Sequence, residues 1–255
     1  MSDADFRIEV ENLTKDFLVY QITYGSVKSL AAALAKSLIL GQNRGTHVVR
    51  RVLNDVSFKA RAGEVIGLIG RNGSGKSTLL SIISRLYLPT AGEVRLRGKV
   101  LGLLELGYSF HPDLTGMENI YFNGILLGQR EEQIAERLSD IIAFSGLTKE
   151  VVGLPVRMYS SGMQLRLAIA VALHLDTEII LIDEGLVVAD QAFQEKVLAR
   201  LETFKEAGRT IIMVSHVLAH IERVADRIVW LDQGVLRMDG TPAEVLPAYR
   251  KEMGA

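Results

Sequence analysis

The chain alternates two kinds of hydrophobic pattern. Short runs of β-branched and apolar residues occur at Arg7–Leu13, Val52–Ala60, Val65–Ile69, Glu93–Leu96, Ile179–Asp183, Thr210–Ser215 and Arg227–Leu231. Between them lie stretches whose apolar residues recur every three or four positions. The first pattern predicts strands and the second amphipathic helices, so their alternation predicts an α/β fold built on a mixed sheet with helical crossovers. Val65–Ile69 and Ile179–Ile182 are apolar throughout, as expected for central parallel strands covered on both faces. In such a sheet, functional groups collect at the carboxyl ends of the strands.

From Gly116 to Leu175 the pattern is helical. Ile134, Leu138, Ile141 and Ile142 share one stripe of a helix that stops near Gly146, which predicts a helical subdomain inserted into the sheet domain. A helix over Gln191–Ala207 puts Phe193, Val197, Leu201 and Phe204 on one face and ends at Gly208. The expected organisation is one domain over residues 1–250. Its mixed-sheet core spans about 1–105 and 176–250, its helical subdomain about 106–175, and a short tail covers 251–255. Residues 18–49 stand apart: Val27, Leu30, Ala31, Leu34, Leu38 and Ile39 predict an amphipathic helix, packed on its own domain or docked against a membrane partner.

Composition narrows the class. At 255 residues, 48% hydrophobic and 23% charged, the chain has ordinary globular values. Its net charge of −1 gives no general attraction to nucleic acid or an anionic membrane, so no nucleic-acid partner is expected. The absence of cysteine excludes disulfides and thiolate metal sites. Val27–Leu40 contains Lys28 and Lys36 and is shorter than the roughly 20 residues that span a bilayer, so the isolated chain is expected in the cytosol.

Gly70-Arg71-Asn72-Gly73-Ser74-Gly75-Lys76-Ser77-Thr78 matches G-x-x-x-x-G-K-[ST], follows an apolar strand and opens a helix predicted over Lys76–Leu86. Its glycines let backbone N–H groups converge on phosphate oxygens. Lys76 brings a charge near the β- and γ-phosphates, and the Ser77 hydroxyl suits Mg²⁺. The strand Ile179–Ile182 ends in Asp183 and Glu184, whose side chains point in different directions by strand alternation. With a phosphate loop present, Asp183 suits the Mg²⁺ shell, and Glu184 suits orienting and deprotonating the attacking water. The expected ligands are ATP and Mg²⁺.

Tyr159-Ser160-Ser161-Gly162-Met163-Gln164, just before the predicted helix Leu165–Leu175, resembles the L-S-G-G-Q signature of ATP-binding-cassette proteins. Ser160 and Gly162 stand in matching places, while Tyr159, Ser161 and Met163 depart from the pattern. Ser161 and Gln164 have capping-box spacing, so a helix start there offers N–H groups and the Ser160 hydroxyl to an anion. The resemblance implies that this anion is the γ-phosphate held by a second copy of the chain. It also implies that His216 is the switch histidine, that Ala189-Asp190 is the loop linking the two active sites, and that Phe17 stacks on adenine, with Tyr20 and Tyr24 as alternatives. Glu105, in Leu103–Gly107, stands where the family usually carries glutamine; it can accept from a water or ligate Mg²⁺ but cannot donate as an amide does.

Within that family, Leu103–Gly107, Phe110–Asn119 and Tyr159–Met163 resemble the ATPase subunits of bacterial polysaccharide exporters, which move lipid-linked O-antigen, capsular polysaccharide or teichoic acid. The resemblance implies a homodimer closing on two Mg·ATP. Two transmembrane permease subunits would hold it at the cytoplasmic face of the inner membrane and give its only membrane contact. Thr115–Glu118 has capping-box spacing and begins a helix, either an ordinary start or the place that receives the permease. A transporter for another cargo is the alternative. A soluble cassette of translation or DNA repair is disfavoured by the single cassette without a heptad run, and a non-hydrolysing cassette by Lys76, Asp183, Glu184 and His216.

Overall fold

The computed structural model describes residues 6–21, 46–102, 110–183, 190–215 and 217–254. The predicted helix over 27–40, together with Tyr24, Glu105, Glu184, Ala189 and His216, lies outside the described residues.

Two long strands, β1 (Phe6–Gln21) and β2 (Thr46–Arg61), pair antiparallel, and β4 (Ala91–Leu96) pairs on the other edge of β1. The second sheet contains β3 (Val65–Ile69), β5 (Val100–Gly102), β6 (Ile179–Ile182), β7 (Thr210–Val214), β8 (Arg227–Asp232) and β9 (Val235–Gly240), in the order β5-β6-β7-β3-β8-β9. All of its pairings are parallel except β8 with β9. Every residue of β3, β6 and β7 is buried, which is why those strands read as unbroken apolar runs.

Strand alternation divides the core. Ile66 and Leu68 face a cluster with Ile8, Leu13, Leu53, Leu79 and Leu80, under the antiparallel sheet and α1 (Lys76–Ile83). Val65, Ile180 and Ile211 face the other way, against Phe193, Val197, Leu201 and Phe204. The helical subdomain has its own core. It comprises α2 (Gly116–Leu126), α3 (Glu131–Ser145), α4 (Lys149–Val152), a 3₁₀ turn at Val156–Met158 and α5 (Ser161–Leu173). Ile120, Ile134, Ile141, Val152, Tyr159 and Leu167 pack together there. Gly146 at φ 70° stops α3 where the pattern predicted. Three further helices, α6 (Gln191–Glu206), α7 (Leu218–Val224) and α8 (Pro242–Met253), complete the described elements, and Gly208 at φ 74° follows α6 as expected.

The structure corrects several boundaries. β1 and β2 run well past Leu13 and begin well before Val52, because Leu18 pairs with Val49 and Val19 with Val48, β-branched and apolar partners that extend the ladder. The helix after the phosphate loop ends at Ile83 rather than Leu86, since Arg85 takes a left-handed φ of 63°. The pattern reading did not predict β9 or α8. α8 has a capping box between Thr241 and Glu244 with Pro242 at its first turn, and it continues to Met253, so residues 251–253 belong to a helix rather than to a separate tail.

Candidate functional site

Three parallel strands bring their carboxyl ends to one edge: β3 leads into Gly70, β6 into Asp183 and β7 into Ser215. The loop after β3 fits so closely that two of its glycines are sterically required. At Gly70 (φ 151°) a Cβ would lie 2.2 Å from the Leu231 carbonyl oxygen and 2.6 Å from Ser74 Oγ. At Gly75 (φ 105°) it would lie 2.6 Å from Leu53 Cδ2 and 3.0 Å from the Val52 oxygen. The turn between β8 and β9 braces the loop, with Gly234 N–H donating to Ser74 O at 3.1 Å.

What this loop presents is suited to a polyanion. Gly75 caps α1 with no side-chain hydrogen bond, so the helix offers its first N–H groups and the positive end of its dipole. The Lys76 ammonium is buried and donates to Gly70 O at 2.9 Å and Arg71 O at 3.2 Å. Ser74 Oγ is buried without a hydrogen-bond partner, and burying such a group unsatisfied costs about 1–3 kcal/mol. Lys76 borders an open cleft of about 520 Å³, lined also by Asn72, Gly73, Gly75, Ser77 and Thr78 of the loop and by Arg50, Arg51, Val52 and Gln233. Ser77 is exposed on this cleft, and half-buried Asp183 follows the strand two places from β3. A hydroxyl and a carboxylate are hard oxygen donors that fit Mg²⁺ shared with phosphate oxygens. Among the described residues no cluster of three His, Cys, Asp or Glu side chains could hold a metal by itself.

The predicted signature begins α5, with one correction. The capping residue is Ser160, in extended backbone (φ −67°, ψ 158°), and its hydroxyl accepts from Met163 N–H at 3.2 Å. Ser161 is already the first helical residue, and Gln164 turns back to donate to Val156 O at 3.3 Å, so no Ser161–Gln164 capping box forms. Among the described residues nothing requires a small residue at Gly162: a Cβ there would meet only Ser160 Oγ, at 4.0 Å. Tyr159, the first departure from the signature, has an internal role. Its hydroxyl donates to Val151 O at 2.7 Å and lies 2.2 Å from where a Gly116 Cβ would stand. Burial pushes the Tyr159 phenol's pKa up.

Thr115 and Glu118 form the predicted capping box, with Thr115 N–H donating to Glu118 Oε2 at 2.8 Å and Glu118 N–H to Thr115 Oγ1 at 3.1 Å. The bonds that its carboxylate accepts from the Thr115 N–H and hydroxyl hold the Glu118 pKa below the usual carboxylate value. Fully buried Asn119 organises the preceding loop, donating to the carbonyls of His111, Leu114 and Thr115. Asp190 caps α6, its Oδ1 accepting from Phe193 N–H at 3.0 Å and its Oδ2 from Arg166 at 3.5 Å.

Phe17 does not line the cleft. Its ring packs edge-on against Tyr87 at 5.6 Å, and Lys15 Nζ sits 4.9 Å from its centroid. The side chains that do line the cleft on this side are Arg50 and Arg51, which the sequence reading missed. Both precede a bulge at Val52 in β2, and neither the bulge nor the pairing of β2 with β1 is announced by residue types.

Comparison with known proteins gives the family. A family model described as ABC transporter matches residues 53–187. The chain is 39% identical over 246 residues to the O-antigen export system ATP-binding protein RfbB of Klebsiella pneumoniae, covering 96% of this chain and 98% of that protein. The protein of the same name from Myxococcus xanthus is 47% identical over 199 residues, 78% of this chain but 45% of its own length. The chain thus spans nearly all of one relative and under half of the other. A solved dimeric ATP-binding cassette, MJ0796 bound to ADP and Pi, matches in fold with a TM-score of 0.72 at 23% identity, covering 92% of this chain and 98% of that one. The chain therefore belongs to the ABC transporter family as an ATP-hydrolysing, nucleotide-binding cassette, alongside the polysaccharide-export ATP-binding subunits it resembles.

Proposed function

We propose that this chain powers the export of a lipid-linked polysaccharide of the O-antigen or capsule kind across the bacterial inner membrane. It works as a homodimer beneath two membrane permease subunits. The observation that carries the ATP chemistry is the phosphate loop itself, with its uncapped helix start and its buried ammonium on the cleft. The cargo class is supported by likeness to an O-antigen export ATP-binding protein over nearly the whole of both chains. Among the described residues no helix is long and apolar enough to cross a membrane, so the membrane-spanning work falls to other subunits in this reading.

The roles follow from the groups available. The loop Gly70–Thr78 binds the phosphates and Lys76 offsets their charge. Ser77 and Asp183 would hold Mg²⁺, which when bound neutralises charge on the phosphate oxygens. Glu184 accepts the proton of the attacking water, and His216 contacts the γ-phosphate. The start of α5, with the Ser160 hydroxyl and the N–H groups of Ser161 and Gly162, faces the nucleotide on the partner copy, with Asp190 between the two sites. ATP therefore bridges the dimer, and its hydrolysis removes the bridge. Closure and opening shift the permease between states through this difference in nucleotide contacts. A docking face is at hand on α2, where Phe122, Ile125 and Leu126 lie at helical spacing and are 43%, 54% and 63% exposed.

Two experiments test this reading. Glu184→Gln should lower turnover by roughly 10²-fold or more while nucleotide still binds; turnover at the wild-type rate would refute the base assignment. Cells whose only copy carries Lys76→Ala should accumulate lipid-linked glycan inside and lack it at the surface. Normal surface polysaccharide in those cells would refute the cargo.

A further inference from the structure

Two arginines line the nucleotide cleft, and they differ in their partners among the described residues. Arg51 is held by Asp16 through a two-pronged pair, Nε–Oδ1 at 2.9 Å and Nη2–Oδ2 at 3.1 Å, and also reaches Asn54. Arg50 is exposed on the same cleft and has no hydrogen-bond or ion-pair partner among the described residues. Regular strand alternation would send Arg50 and Arg51 to opposite faces. Both nevertheless contribute to its lining. Lys15 pairs with Leu53 but Asp16 pairs with Arg51, which leaves Val52 as an extra residue on β2. Such a bulge re-aims neighbouring side chains.

The same strand fixes the distance scale. Val52 backs onto the phosphate loop, its carbonyl oxygen 3.0 Å from where a Gly75 Cβ would stand. Arg50 lies two residues farther out, about 7 Å along the strand, so it flanks the part of the cleft beyond the phosphates. No aromatic ring is among the described lining residues, and Phe17, opposite Arg50 in the ladder, is turned to Tyr87 and Lys15. A guanidinium is flat, permanently charged and weakly hydrated, and it stacks on π systems where a lysine ammonium offers only a point charge.

We infer that Arg50 is the base-binding residue of this cassette: its guanidinium plane lies against the nucleobase, in the place where an aromatic side chain was expected. The inference rests on the cleft's being the nucleotide site. It predicts that affinity for the base-bearing part of the ligand depends on Arg50, whereas affinity for the phosphates does not.

Calorimetric titration of the full chain with MgADP and with magnesium pyrophosphate separates the two. Arg50→Ala should weaken MgADP about tenfold and leave pyrophosphate within about twofold of wild type. Arg50→Lys, which keeps the charge and loses the plane, should behave like Arg50→Ala, and Arg50→Trp should recover most of the MgADP affinity. Phe17→Ala should leave both ligands unchanged. The inference is overturned if Arg50→Ala binds MgADP as wild type does, if both ligands weaken alike, or if Arg50→Lys retains full affinity. Lys76→Ala is the control for the underlying site. It should lose both ligands, and if it loses neither then the cleft itself is misassigned, a result distinct from any failure at Arg50.

Discussion

Two glycine-bearing turns of this molecule stand in contrast. In the phosphate loop, Gly70 and Gly75 are walled in by their own chain, by the Leu231 and Val52 carbonyls and the Leu53 side chain. At the start of α5, a Cβ on Gly162 would meet only Ser160 Oγ, at 4.0 Å, among the described residues. One turn is a finished half-site whose glycines the fold itself demands. The other is an exposed, side-chain-poor helix start, the surface through which the proposed dimer would reach the partner's nucleotide.

That contrast can be broken by substitution. The largest effect belongs to Gly70→Ala, where a Cβ 2.2 Å from a backbone oxygen should cost about 3 kcal/mol or more of stability, read as a thermal melt. A variant that melts with wild type would remove the distinction. Ser160→Ala deletes the α5 cap and should cost about 1 kcal/mol, whereas Ser161→Ala should stay within about 0.5 kcal/mol; the reverse order would return the cap to Ser161. Gly162→Ala should gain a few tenths of a kcal/mol through helix propensity yet lose most ATP turnover, and unchanged turnover would strip Gly162 of its external role. The smallest effect is one of pH. Because the pKa of Glu118 is lowered in the fold, its contribution is full above the ordinary carboxylate value and fades as pH falls through the lowered one. Glu118→Gln should flatten that acid limb of a stability–pH profile, and an unchanged limb would contradict the capping box.

The parts legible in the sequence are those whose physics is local. Val65–Ile69 and Ile179–Ile182 announce buried parallel strands because both faces are covered, and the phosphate loop, the Thr115–Glu118 box and the stop at Gly146 each depend on residues within a few positions. What escaped depends on pairing between distant segments. The bulge at Val52 exists only in the register of β2 against β1, and the packing of Phe17 on Tyr87, away from the cleft that Arg50 lines, likewise joins segments far apart in sequence. The Ser160 cap was misread by one residue because Ser160 and Ser161 are both good caps, and the backbone turn at Tyr159–Ser160 selects the first. Tyr159 departs from the expected signature for a reason visible only in three dimensions, since it fills the space that Gly116 leaves and bonds to Val151.

The central claim is that a nucleotide held by one copy's phosphate loop is completed by the other copy's α5 start. Sedimentation of Glu184→Gln with MgATP, alone and combined with Gly162→Asp, tests it most directly. The account predicts an ATP-dependent dimer for the single variant. The double variant should stay monomeric while binding ATP as tightly as a lone subunit does. A double variant that dimerises as well as the single one, or that loses ATP as a monomer, would contradict it.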